Sequence, residues 1–134
     1  MSVFAGGFDL HAAEAICGDS LDTIEHLVDK SLVIVEQLSD ETLRYRLLET
    51  LRHYAAERLV EAGEEENARE QHFIYYLDVA ERTYARRIED EAASLALLDA
   101  DHDDFRAALR WARARPRDLL RLASALGWFW HLRS

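Results

Sequence analysis

The chain has 134 residues, about half of them hydrophobic, and a formal charge of −10 at neutral pH. That length suits one domain or two small ones sharing a core, no apolar run approaches the roughly 20 residues that span a bilayer, and the surplus of carboxylates opposes free affinity for nucleic acid, which depends on neutralising phosphates. The single cysteine, Cys17, excludes an internal disulfide and suits a reducing, cytoplasmic setting.

Met1 to Ala5 read as the tail of a helix stopped by Gly6-Gly7, which implies a domain that starts earlier than this chain. Asp9 is placed to cap a helix from Leu10 to Cys17 that Gly18 closes. Asp19 or Ser20 caps the next helix, Leu21 to Lys30, with Leu21, Ile24, Leu27 and Val28 on its apolar face. Leu32 to Leu38 is rich in β-branched residues and reads as a strand. Ser39 to Thr42 is a polar turn, and Leu43 to Leu47 returns antiparallel, with Leu43, Tyr45 and Leu47 alternating with Arg44 and Arg46. Helices followed by a hairpin give a winged-helix unit over Met1 to Ala62.

After Leu47 the period changes from two to 3.6 without a break. Leu48, Leu51, Ala55, Leu59 and Ala62 make one helical stripe with Tyr54 at its edge, and Gly63 closes the helix. This strand-to-helix junction is the predicted seam between two units, carried by Tyr45, Leu48, Glu49, Leu51, Arg52 and Tyr54. From Gly63 to Ser134 the pattern is helical throughout. Helices are expected from Asn67 to Ile88, from Glu91 to Leu98 and from His102 to Arg115, where Pro116 ends the segment. Asp118 then caps a last helix with Leu119, Leu122, Ala123, Leu126 and Phe129 inward. Phe73, Tyr76, Leu77, Ala80 and Tyr84 form the stripe of the first of these, Phe105, Ala108, Leu109 and Ala112 that of the third. Helix pairs with short joints suggest the beginning of a TPR-like α-solenoid, and Trp128 and Trp130 call for a further helix pair to cover them. The predicted fold class is thus mainly α: a winged-helix unit with a two-stranded β-hairpin, then a helical repeat-like unit.

Candidate chemistry is sparse. The run Asp99 to Asp104 resembles the start of a calcium loop, but its sixth position is Asp104 instead of glycine and its twelfth is Arg110 instead of a bidentate glutamate. The six histidines show no zinc-ligand spacing, and no phosphate-binding loop or nucleophile elbow is present. The expectation is a non-catalytic chain with no cofactor or metal of its own. In a DNA-binding winged helix the last helix before the hairpin enters the major groove. Here it carries Asp19, Asp22, Glu25 and Asp29 against Lys30 alone, so the charge balance argues against direct DNA binding and for a packing module.

Several segments together resemble one family. MSVFAGGFDLHAAEAIC, LVDKSLVIVE, YRLLETLRHYAAERL and LDADHDDFRAALRWA followed by LASALGWFWHLRS are similar, in order, to consecutive stretches of STAND-class bacterial regulatory ATPases, which include LuxR-type and antibiotic-regulator-like transcription factors. The resemblance implies a winged helix and the first helices of a sensor within a longer protein, whose ATP- or ADP-binding core lies upstream and whose helical repeats lie downstream. In related plant and animal proteins a Met-His-Asp motif senses the nucleotide phosphate; it falls on Leu47, Leu48 and Glu49 here, without the histidine. The expected role is coupling between the nucleotide-binding domain and the helical-repeat sensor in a cytoplasmic transcriptional regulator, with self-association through the two cut ends. The alternatives are a stand-alone DNA-binding winged-helix regulator and a free-standing adaptor.

Overall fold

A computed structural model describes residues 2–18, 21–37 and 43–133, with the side chains of Leu21 and Arg133 left aside. The expected cap at Asp19 or Ser20, the strand end at Leu38 and the turn Ser39 to Thr42 lie outside the described residues. The chain forms two compact units, Met1–His72 and Phe73–Ser134, which divide inside a long helix.

The first unit begins with helix α1 (Leu10–Cys17), opened by Asp9, whose carboxylate accepts the Ala12 N–H at 2.8 Å, and closed by Gly18 at φ 71°. Helix α2 (Leu21–Asp29) follows. It ends in a left-handed residue that is not glycine, Ser31 at φ 61°. The Ser31 and Leu32 N–H groups donate back to the Val28 and Leu27 carbonyls, each at 2.9 Å, the two bonds of a Schellman closure. Strands β1 (Val33–Gln37) and β2 (Leu43–Leu47) pair antiparallel, with Val33 opposite Leu47 and Gln37 opposite Leu43. After a single joint residue, Leu48, helix α3 (Glu49–Glu61) begins. Gly63 at φ 72° closes it in the same way as Ser31 closes α2, with Gly63 N–H to Val60 O at 3.0 Å and Glu64 N–H to Leu59 O at 3.1 Å.

Two expectations for this unit are corrected. Residues 2–5 form turns and a bend instead of a helix tail. The reason is the next bend: Gly6-Gly7 lets the chain fold back so that Phe8 bridges Tyr45 of β2, exchanging two backbone hydrogen bonds of 2.8 and 2.7 Å. Phe4 then stacks on Phe8 with ring centroids 4.4 Å apart, and Val3, Phe4 and Phe8 are buried. The strand alternation is also offset at one end of β2. Leu43 is 46% exposed, whereas Arg44 is buried. The backbone of Gly7 covers that face, and its carbonyl accepts from Arg44 Nη2 at 2.6 Å.

Helix α4 (Glu65–Arg86) contains the division between the units. His72 belongs to the first unit and lies edge-on to Phe4, with centroids 6.0 Å apart. The second unit comprises the rest of α4, then α5 (Glu91–Ala100), α6 (His102–Trp111), a 3-10 turn at Ala112–Ala114 and α7 (Pro116–Arg133). The Asp-rich joint breaks the middle pair at Asp101, as its composition predicts. Pro116 differs from expectation: it starts α7, at the position where a missing N–H costs nothing, and Asp118 sits in the first turn instead of capping. Phe73, Tyr76, Leu77 and Ala80 are buried with Leu98, Phe105, Ala108, Leu122, Leu126 and Phe129. Tyr84, at the end of its stripe, is 39% exposed and carries the Arg87 guanidinium 3.7 Å from its ring centroid. A bidentate pair, Arg121 to Glu81 at 2.6 and 3.4 Å, ties α7 to α4 within this unit.

Replacing Ser31 by glycine keeps the closure and removes the steric cost of a side chain at positive φ. Ser31→Gly is expected to raise the unfolding free energy by about 1 kcal/mol in a denaturant titration. Phe8→Ala empties the aromatic stack and is expected to cost about 3–5 kcal/mol by the same measurement.

Candidate nucleic-acid interface

Helix α2 presents two unlike faces. Ile24 is fully buried, with Leu27 and Val28 half-buried beside it, on the helix that packs against β1 of the hairpin. Asp22, Thr23, Glu25, His26, Asp29 and Lys30 are all exposed. The outward face is therefore polar along its length, with hydrogen-bond donors and acceptors of both kinds. In a winged helix this surface meets the base edges while the hairpin reaches the flanking backbone. The hairpin supplies one exposed cation, Arg46, whose Nη2 is 3.5 Å from the Glu36 carboxylate across the strands. Arg44, which sequence alternation also offers to solvent, is withdrawn into the unit by its bond to Gly7. Sequence reasoning could find it only through the unusual pair of glycines at Gly6-Gly7, which lets a backbone come close enough to cover it.

The predicted seam residues do not form one cluster. Tyr45 is buried in β2, its ring centroid 6.3 Å from that of Phe8. Leu48 occupies the N-cap position of α3 without a side-chain capping bond and is 37% exposed. Glu49 and Arg52 face solvent and pair at 2.6 Å, with His53 Nε2 3.2 Å from the same carboxylate oxygen. Leu51 is half-buried, and Tyr54 is 53% exposed, its hydroxyl accepting from Arg58 Nε at 3.0 Å. No residue of α3 is buried. Its apolar stripe instead lines an open groove of about 570 Å³ with Leu27 and Leu47 of the same unit, Tyr54 and Arg58 lying at its rim. The hydrogen bond from Arg52 holds the Glu49 carboxyl below the usual carboxylate range, with the charges of Arg52 and His53 acting in the same direction.

The run Asp99 to Asp104 is split between the end of α5 and the start of α6, with Asp101 and Asp104 buried. Among the described residues no group of three or more His, Cys, Asp or Glu side chains is arranged to hold a metal ion. No described helix is long and apolar enough to cross a membrane.

Residues 1–60 match the family model of a winged helix-turn-helix domain. The chain is similar to a "Putative HTH-type transcriptional regulator", Rv0890c, of Mycobacterium tuberculosis (strain ATCC 25618 / H37Rv), with 37% identity over 99% of this chain and 16% of that protein. The corresponding regulator Mb0914c of Mycobacterium bovis (strain ATCC BAA-935 / AF2122/97) matches to the same extent. The uncharacterized protein Rv0894 of M. tuberculosis is 42% identical over 48% of this chain and 18% of its own length. The chain thus spans less than one fifth of the relatives it matches. No solved structure matches it at a comparable level. The molecule is therefore mainly helical, with a winged-helix domain and a two-stranded antiparallel hairpin.

These findings overturn the expectation that direct DNA binding is disfavoured. A winged helix-turn-helix match and relatives named as HTH-type regulators both point to DNA. That expectation rests on the net charge and on the carboxylates of α2, but carboxylates on such a face also accept hydrogen bonds from base edges. Long-range repulsion is screened within about 8–10 Å at physiological salt, and carboxylates such as Glu36 and Glu49 already face arginines.

The Glu49 carboxyl offers a direct check on the junction. Its folded pKa is depressed, so its contribution to stability is present above the unfolded pKa and is lost as pH falls through the folded one. In a carboxyl NMR titration Glu49 is expected to titrate below an ordinary glutamate, and Arg52→Gln is expected to return it towards the normal range.

Proposed function

We propose that this chain serves transcription regulation by contacting DNA directly, with α2 in the major groove and the β1–β2 hairpin on the flanking backbone. The observation that carries this reading is the chain order within one unit: a capped α1, a second helix whose outward face is polar throughout, and then an antiparallel hairpin. The winged helix-turn-helix match and the regulator names of its relatives support it. Thr23, His26, Asp22 and Glu25 are side chains that read donors and acceptors on base edges, the carboxylates by accepting from cytosine amino groups. Lys30 and Arg46 meet phosphates. The chemistry is binding, with no catalytic step and no cofactor in this chain. Coupling to a nucleotide-binding core, the finer role suggested by the STAND-class resemblance, draws support from the one-residue joint between β2 and α3. A phosphate-binding loop encoded directly upstream of this segment would substantiate it.

Few cations face the duplex, so the electrostatic term is small and selection rests on base contacts. Duplexes selected from a random pool and titrated by fluorescence anisotropy are expected to give a salt slope of about −2, one phosphate contact each for Lys30 and Arg46. Lys30→Ala and Arg46→Ala are each expected to lower that slope by about one. Arg44→Ala is expected to lower the melting temperature instead, because its guanidinium is buried against the Gly7 carbonyl. A folded chain that retains no duplex from the pool at low salt would overturn the proposal.

A further inference from the structure

The second unit holds a cavity of about 440 Å³ lined by His102, Arg106, Leu109, Arg110, Arg113 and Trp130. Four of these residues recur at intervals of four, four and three, one face of α6 continued into the 3-10 turn. The arginines are exposed and the Trp130 ring, from α7, is half-buried. In a chain with 26 acidic residues, Arg46, Arg52, Arg58, Arg69, Arg82 and Arg121 each pair with a carboxylate. Arg106, Arg110 and Arg113 have no ion pair among the described residues. Of the acidic residues of α6, Asp104 is 1% exposed, in the core, and Asp103, one turn before Arg106, is exposed but neither pairs with the row nor lines the cavity. Like charges at successive helical turns repel, and of the three only Arg110 lies in the last turn of α6, where the helix dipole favours a cation.

The geometry points to a binding site for a small organic phosphate that carries an aromatic ring, a nucleotide-class ligand. Guanidinium groups bind phosphate through paired N–H donors, which makes a row of three suited to one or two phosphate groups. Trp130 and Leu109 give the same cavity an apolar wall against which a flat ring can pack. The volume falls within the range of about 300–1,000 Å³ found for small-molecule sites. An acidic peptide or a nucleic-acid backbone would neutralise the row without needing the tryptophan wall. This site belongs to the second unit and the α2 surface proposed for DNA to the first, and they share no residue, so either assignment can fail while the other stands.

The test is calorimetry at low salt on the whole chain with three probes: AMP, adenosine and inorganic phosphate. AMP is expected to bind about tenfold or more tightly than either part alone, and to change the tryptophan fluorescence. Arg110→Gln is expected to weaken AMP by about tenfold with an unchanged circular dichroism spectrum, the loss of one charge-assisted contact; if that variant does not fold, Arg106→Gln takes its place. Trp130→Leu is expected to bring AMP down to the affinity of inorganic phosphate. Absence of AMP binding at millimolar concentration overturns the site, as does inorganic phosphate binding as tightly as AMP. Arg110-dependent binding of poly-glutamate or duplex DNA without binding of AMP also overturns it, by making the row a macromolecular contact.

Discussion

Phe8 and Tyr45 exchange two backbone hydrogen bonds, and the first unit depends on that exchange. It joins residues far apart in sequence and so costs loop-closure entropy. The return is a stacked aromatic pair at Phe4 and Phe8, a second pairing partner for β2 and a lid over Arg44. Without it the two short strands would pair only with each other, and a two-stranded hairpin is marginal in water unless a helix packs on it. With it, β2 is held on both sides, and its direction is passed to α3 through Leu48 alone. The placement of the wing relative to α2 therefore rests on an N-terminal segment that has no regular secondary structure of its own.

That same segment decides which cations the wing leaves exposed. Burying a guanidinium is costly unless its donors are satisfied, and the Gly7 carbonyl accepts one of them from Arg44. The wing is left with Arg46, itself within reach of Glu36. A winged helix with so few free cations has little general attraction for DNA, so under the proposed function discrimination falls to the polar residues of α2. In the second unit the converse holds, with three arginines left uncompensated in one cavity. Charge in this molecule is distributed by site: the α2 face shares the acidic sign of the net −10, and the arginine row of α6 opposes it.

Much of the fold was legible because its signals are local. Asp9 and Gly18 bracket α1, Gly63 closes α3, and the Asp-rich joint separates α5 from α6, each through the chemistry of one or two residues. What was not legible depends on partners distant in sequence. Nothing near Arg44 shows that Gly7 will cover it, and the period-two pattern places Leu43 inward where the structure exposes it. Residues 2–5 look helical until Phe8 is known to bridge to β2. The stripe of α3 has the spacing of a core helix, yet no residue on it is buried, because periodicity records a face and not what lies opposite. Pro116 reads equally well as the end of one helix or the start of the next. The α2 surface is legible as a candidate, but its carboxylates read as repelling phosphates, whereas at base edges the same groups are acceptors. The row from His102 to Arg113 escaped notice because only the apolar side of that helix was followed.

The sheet has one more consequence. Within the described residues β1 pairs only with β2, so its outer margin offers unpaired peptide groups to any neighbouring chain. That margin is five residues long, and its outer half turns Glu36 and Gln37 to solvent. Shortness and a negative charge are the features that keep such margins from recruiting further strands. Molecules at high local concentration can then lie side by side without zipping into a continuous ribbon.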